Sequence, residues 1–200
     1  MKINLLDLPA LYVNLDKDTG KNIRAKNVLE GLGFQKIIRI PGERHENTRI
    51  GCSIGHLKAL ITVKPPFIVF EDDIAIKDFR QTIDIPDDAD GLYLGLGVYS
   101  WDGVTWGTNI EYVKQEKYDD IYRIKNMLSA HAILYITPEY VEQSIKDIHA
   151  SVVSQEPHDL RMAVTQQNKV VYCVGSPMFY QDDPNGNVYA KSITDITLSK

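Results

Sequence analysis

Four consecutive apolar residues, Phe67-Ile68-Val69-Phe70, run without a break into three consecutive carboxylates, Glu71-Asp72-Asp73. The run is short, rich in β-formers and bounded upstream by Pro65-Pro66, so it reads as a strand buried on both faces. A strand of that kind needs helices on each side of its sheet. The residues before it supply them. Residues 10–15 are a second apolar run, ending at Asn14-Leu15-Asp16. Ala25, Val28, Leu29 and Leu32 recur at i, i+3, i+4, i+7, one face of a helix, with Gly33 where a C-terminal glycine belongs. Residues 36–40 are a third strand, stopped by Pro41-Gly42. Residues 43–49 are a charged loop, and Ile54, Leu57, Leu60 and Ile61 place a second helix over residues 52–63.

This order is βαβαβ, and it predicts an α/β fold with a mostly parallel central sheet flanked by helices. Ligands of such sheets bind beyond the carboxyl ends of the strands. Asn14–Asp16, Pro41-Gly42 and Glu71–Asp73 all fall there. The second half is less regular. Residues 91–96, 121–124, 132–136 and 170–174 read as strands, with His131 opening the third of these. Residues 97–112, rich in Gly, Trp and Tyr, read as a long loop. Thr137-Pro138-Glu139 is a helix start: a capping Thr, Pro in the first turn and an acidic residue at the positive end. A short helix is expected over residues 159–165, then a polar tail from residue 177.

The 200 residues suit one domain, and 44% hydrophobic with 24% charged residues excludes a disordered chain. A net charge of −5 argues against a general nucleic-acid binder, which needs basic surface to displace phosphate counterions. Two cysteines, Cys52 and Cys173, make neither a disulfide scaffold nor a four-thiolate zinc site. Cys52 reads as a small buried residue. No apolar run is long enough for a membrane helix, and the polar N-terminus is unlike a signal peptide, so a cytoplasmic protein is expected.

The chemistry starts from the carboxylates. Three in a row repel one another, and more so at the end of a buried strand. A hard divalent cation, Mn²⁺ or Mg²⁺, removes that cost and keeps positions open for phosphate oxygens. The other reading is a solvated acidic turn. His56 and Lys58 are placed near the N-terminal end of the second helix, where free N–H groups favour anions. For His56, a core histidine satisfied by a neighbour is the alternative. Trp101 and Trp106, with Tyr99 and Tyr112, suit stacking on sugar C–H faces, or anchoring of their own loop.

Three blocks, Tyr12-Val13-Asn14-Leu15-Asp16-Lys17, the stretch from Gly51 through His56-Leu57-Lys58 to Leu60, and Phe67 to Asp73, resemble glycosyltransferase family 25 in order and spacing. That family includes lipopolysaccharide and procollagen galactosyltransferases. Leu92-Tyr93-Leu94-Gly95, the segment from Ser129 to Thr137, Pro157-His158-Asp159 and the stretch from Pro177 to Gln181 are similar to later family elements. Gly55 departs from the family, which commonly carries Ser before the His. The resemblance implies a GT-A fold, with residues 1–95 as the nucleotide-sugar-binding half and 96–200 as the acceptor-binding half. The chain is short for a complete member and is expected to be one module of a longer protein.

By resemblance, Val13, Asn14, Leu15, Asp16 and Arg39 meet the nucleotide, with Arg24 a further candidate. Glu71-Asp72-Asp73 looks like the fold's DXD element: Glu71 or Asp72 toward the ribose, Asp73 and Glu71 as metal ligands. Inversion at the sugar needs a carboxylate base for the acceptor hydroxyl. Asp159 is that candidate, or else a carboxylate serving only its helix dipole. Trp101, Trp106 and His131 are the acceptor-side candidates, and His131 and His158 are further candidates for a metal or phosphate contact. The implied activity is metal-dependent transfer of a hexose from a nucleotide sugar, a UDP-hexose, to a glycan or glycoconjugate hydroxyl. Two other readings stand beside it: a metal-dependent nucleotidyl or phosphoryl transferase, and a non-catalytic nucleotide-sugar-binding module of a larger protein.

Overall fold

The computed structural model describes residues 1–108, 110–182 and 192–194. The polar tail read from residue 177 therefore lies largely outside the described residues.

The first half folds as its periodicity predicts. After a short edge strand, β1 (Lys2–Asn4), the chain forms β2 (Ala10–Asn14), α1 (Thr19–Leu32), β3 (Ile37–Pro41), α2 (Thr48–Leu60) and β4 (Phe67–Glu71). Gly33 ends α1 in the left-handed conformation, φ +93°, where a Cβ would be strained. Helix α2 starts a turn earlier than its apolar residues suggest. Asn47 caps it, accepting a hydrogen bond from the Arg49 amide at 3.1 Å. The charged segment before Cys52 is thus partly helical. Consequently His56 lies in the second half of α2 and Lys58 in its last turn, not at its positive end.

Short pieces follow: β5 (Ile74–Ile76), β6 (Thr82–Asp84), β7 (Gly91–Tyr93), β8 (Ser100–Trp101), β9 (Trp106–Gly107), β10 (Glu111–Lys114), β11 (Ile121–Lys125) and β12 (Ala132–Tyr135). Then come α3 (Pro138–Ser154), α4 (His158–Thr165), β13 (Val171–Val174) and β14 (Phe179–Gln181). The expected long loop over 97–112 contains a hairpin, β8 against β9. Its turn is held by Asp102, whose carboxylate accepts from the Val104 and Thr105 amides at 2.8 and 2.7 Å.

The central sheet has the order β10-β11-β13-β7-β12-β4-β2-β3. It is mixed, which corrects the expectation of a mostly parallel sheet. β3, β2 and β4 are parallel, as are β7 and β13; the other four pairings are antiparallel. The parallel part is where helices make crossovers. β12 instead enters between β4 and β7 antiparallel to both, which requires no crossover helix. Strands from both halves of the chain interleave in this one sheet.

Alternation along β4 distributes its side chains. Phe67 and Val69 pack with Leu11, Ala59, Leu60, Tyr140 and Ile148 on the α2 and α3 side. Ile68 and Phe70 pack with Tyr12, Ala25 and Leu29 on the α1 side. The same period of two sends Glu71 to the α2 side.

Candidate functional site

The chain leaves β2 through α1 toward β3 and leaves β4 toward β7 on the other side of the sheet, so a crevice opens between the carboxyl ends of β2 and β4. Asn14 closes β2 and Asp72 follows β4, and they are joined directly: Asn14 Nδ2 donates to Asp72 Oδ2 at 2.7 Å. Arg39 braces the same residue, donating to Asn14 Oδ1 and to its carbonyl, both at 3.1 Å. A cleft of about 700 Å³ opens here, lined by Val13, Asn14, Leu15, Lys17, Lys21, Arg44, Cys52, His56, Glu71 and Asp72 among others. Lys21, in the first turn of α1, reaches across it to Asp72 and Asp73, 3.3 Å from each.

A second cleft of about 470 Å³ adjoins the first and shares two lining residues with it, Cys52 and Glu71. Its other walls include Tyr99, Trp106, His131, His158, Asp159 and Gln181. The antiparallel direction of β12 creates this neighbourhood. It places the start of β12 beside the end of β4, and the Glu71 amide donates to the His131 carbonyl at 3.1 Å. A parallel β12 would have carried His131 to the opposite edge of the sheet.

Glu71 is the pivot. Its Oε1 lies 3.5 Å from His56 Nε2, and its Oε2 accepts from Gln181 Nε2 at 2.7 Å. Burial pushes the Glu71 carboxyl up, but His56 beside it, with smaller contributions from His131 and His158, brings it down to about 2. His158 stays neutral: burial and the neighbouring His56 lower it to about 3. Burial likewise lowers His131. The rings of His56 and His158 pack 4.4 Å apart, and Ser53 Oγ is 3.4 Å from His158 Nδ1.

Asp159 sits in the first turn of α4. Burial and the negative charge of Glu71 raise it to about 6, despite opposing hydrogen bonds from the helix's own N–H groups. That is where a general base for neutral-pH chemistry belongs. Asp73 is also raised, by burial and then by Glu71, with Lys21 opposing. Its Oδ1 is buried and has no hydrogen-bond partner. An acidic pair that one lysine neutralises only in part, with an oxygen left over, has the donor chemistry for Mg²⁺ or Mn²⁺.

The structure therefore gathers Val13, Asn14, Leu15, His56, Glu71 and Asp72 on the first cleft, and Glu71, Trp106, His131 and Asp159 on the second. It sets the others apart. Asp16 is exposed and ion-paired with Arg39, whose own side chain lines a different hollow with Tyr12 and Asn22. Lys58 is not on the cleft wall; it pairs at 2.8 Å with Glu43, which is. Arg24 pairs with Asp182 at 2.7 Å. Trp101 packs under the hairpin against Leu128, Leu160 and Ala163, while Trp106 stays 58% exposed. The triplet is also divided. Glu71 belongs with the histidines and Asp73 with Lys21, so the two do not present one ligand set.

Sequence reasoning passed over Lys21, named Gln181 only at the end of a family-like stretch, and read Cys52 as a small buried residue. Lys21 carried a signal, a cation one turn into the helix after β2. Cys52 carried another, because Cys52 and His56 are four apart and share a helix face. Cys52 is exposed on the cleft rather than buried. Gly55 also gains a reason. A Cβ there would stand 2.5 Å from Val13 Cγ1, so α2 packs on β2 only without one.

The sequence matches no protein-family model and no curated protein. Several solved structures show partial likeness, among them the following two. One is a nucleoside-diphosphate-sugar pyrophosphorylase from Vibrio cholerae, at TM-score 0.44 and 15% identity, covering 85% of this chain and 73% of that one. The other is CTP:phosphocholine cytidylyltransferase from Streptococcus pneumoniae, at TM-score 0.42 and 11% identity, covering 96% and 97%. Similarity at this level carries no argument about chemistry, so function is read from the residues of the two clefts.

Proposed function

We propose that the chain transfers a hexose from a nucleotide sugar, a UDP-hexose, to a hydroxyl of a glycan or glycoconjugate, with inversion at the sugar carbon. The observation that carries this reading is the pair of adjoining clefts: an Asn14–Asp72–Lys21 cluster in one and Asp159, raised to about 6, in the other. The first suits the nucleoside diphosphate and the second suits the acceptor.

Asp72 and Asp73 would hold a divalent cation, which supplies charge stabilisation to the departing diphosphate when bound. Lys17, Lys21 and Arg44 line the same cleft and attract the phosphates. Asp159 accepts the proton of the acceptor hydroxyl as that oxygen bonds to the sugar carbon and the bond to the diphosphate breaks. Trp106 offers its indole face to the acceptor sugar, and Trp101 fixes the hairpin beneath it.

The three basic residues on the first cleft also favour a second reading, nucleotidyl transfer at phosphorus, in which a sugar phosphate oxygen bonds to the α-phosphorus of a nucleoside triphosphate and the α–β bond breaks, giving a nucleotide sugar and pyrophosphate. Incubation with UDP-, GDP- and dTDP-sugars and Mn²⁺ tests the first reading by metal-dependent release of the nucleoside diphosphate. Pyrophosphate release from a triphosphate supports the second instead.

A further inference from the structure

We propose that Cys52, His56 and His158 form a zinc site, with Glu71 beside it, distinct from the Asp72–Asp73 pair. The thiol and one ring nitrogen of each histidine lie within 4.8 Å of one another. Tetrahedral zinc holds sulfur and nitrogen ligands about 3.3–3.8 Å apart, given bond lengths near 2.3 and 2.0 Å. Rotation of the exposed Cys52 side chain would close the difference.

The buried histidines supply the independent observation. His56 is 1% exposed and neither ring nitrogen has a hydrogen-bond partner; His158 is 5% exposed and its Nε2 has none. Buried polar atoms are almost always satisfied, so His56 Nδ1 and His158 Nε2, neither with a polar partner and both on residues grouped with one thiol, call for an occupant. Thiolate with imidazole selects a borderline-soft ion over Mg²⁺ or Mn²⁺. Glu71 Oε1, 3.5 Å from His56 Nε2, supplies a fourth ligand, an oxygen. On binding, the Cys52 thiol loses its proton to solvent and becomes the thiolate, so the thiolate, Glu71 and the dication sum to zero charge. Because Cys52 and Glu71 line both clefts, the ion would tie α2 to α4 at their junction.

The proposal does not depend on glycosyl transfer, and its test uses no nucleotide. The chelator-treated protein is loaded with Co²⁺ and its absorption recorded, and separately alkylated with iodoacetamide with and without Zn²⁺. Cys173 is fully buried, so alkylation reports Cys52. The expected result is a thiolate-to-cobalt charge-transfer band that Cys52→Ser loses and Asp73→Asn keeps, and protection of Cys52 by one equivalent of Zn²⁺. The unmodified protein serves the alkylation arm, so misfolding of a variant does not obscure the answer. No thiolate band in the wild type, a band that survives Cys52→Ser, or alkylation unchanged by Zn²⁺ would overturn the site.

Discussion

His56 Nε2 and Glu71 Oε1 stand 3.5 Å apart at the meeting point of two clefts, one residue on the buried face of α2 and the other at the end of β4. The pair is nearly enclosed, and His56 has no other polar partner among the described residues. Glu71 in turn sets the charge felt by Asp159 and Asp73. The stability and the chemistry of the site therefore depend on one carboxylate.

Glu71 is held at about 2, below the ordinary 4.5. A carboxylate depressed on folding stabilises the native state above its unfolded value, and that contribution is lost as pH falls from about 4.5 toward 2. Glu71→Gln is expected to cost about 2–3 kcal/mol at pH 7. In urea titrations the variant and wild type should converge near pH 2–3. Equal stability at pH 7 would contradict the pairing.

Asp159 has the opposite sign. Its native value of about 6 lies above the ordinary 3.8, so the folded state binds the extra proton between those values and loses stability as pH rises through them. Asp159→Asn should therefore raise stability at pH 8 by about 2 kcal/mol, discounting for partial exposure, and change little below pH 4. As the base, the same carboxylate gives a transfer rate that rises with pH through about 6. Its loss should lower the rate roughly 10²–10⁴-fold with nucleotide binding retained. A variant that is more stable but undiminished in rate would assign Asp159 a structural role alone.

The acidic pair makes a prediction about cations. Mn²⁺ with UDP should raise the melting temperature of the wild type, because binding to the native state adds to its stability. Asp73→Asn should abolish the shift. Lys21→Gln should enlarge the shift given by Mn²⁺ alone, because Asp72 and Asp73 then lack their ion-pair partner until the metal arrives. An equal shift in all three proteins would remove the pair as the metal site.

The hairpin tryptophans should separate. Trp101→Ala removes packing on Leu128, Leu160 and Ala163 and is expected to cost about 2–3 kcal/mol. Trp106→Ala should leave stability within about 0.5 kcal/mol and raise the acceptor KM. Thermal melts and acceptor titrations check both.

Gly55→Ser adds a side chain where α2 approaches β2 most closely. Its Cβ meets Val13 Cγ1, so it should destabilise by about 1–3 kcal/mol through overpacking of α2 on β2. A chain as stable as wild type would show that β2 can yield.

Local pattern carried the first half of the fold. The apolar runs of β2 and β4 and the 3.6-residue spacing on α1 and α2 depend on burial alone, so they can be read without tertiary knowledge. They also placed Asn14 and Asp72 at one end of the sheet. The direction of β12 could not be read in this way, because Ala132 to Tyr135 is equally apolar in either orientation and only its neighbours decide. The two-residue strands of the tryptophan hairpin likewise depend on packing against α4. The division of Glu71 from Asp73 was not readable: a period of two keeps i and i+2 on one face, and the two part because the strand ends at Glu71 and a turn takes over at Asp72.

The most direct test of the central claim follows the nucleotide product. Wild type, Asp73→Asn and Asp159→Asn are incubated with a UDP-hexose and Mn²⁺, with and without a glycan acceptor, and the products resolved by anion-exchange chromatography. The two-cleft account predicts UDP release by the wild type that needs Mn²⁺, is stimulated by acceptor and is lost in Asp73→Asn, while Asp159→Asn loses the acceptor-stimulated part. No UDP release from any sugar nucleotide, with pyrophosphate formed from a nucleoside triphosphate and a sugar phosphate, would contradict it.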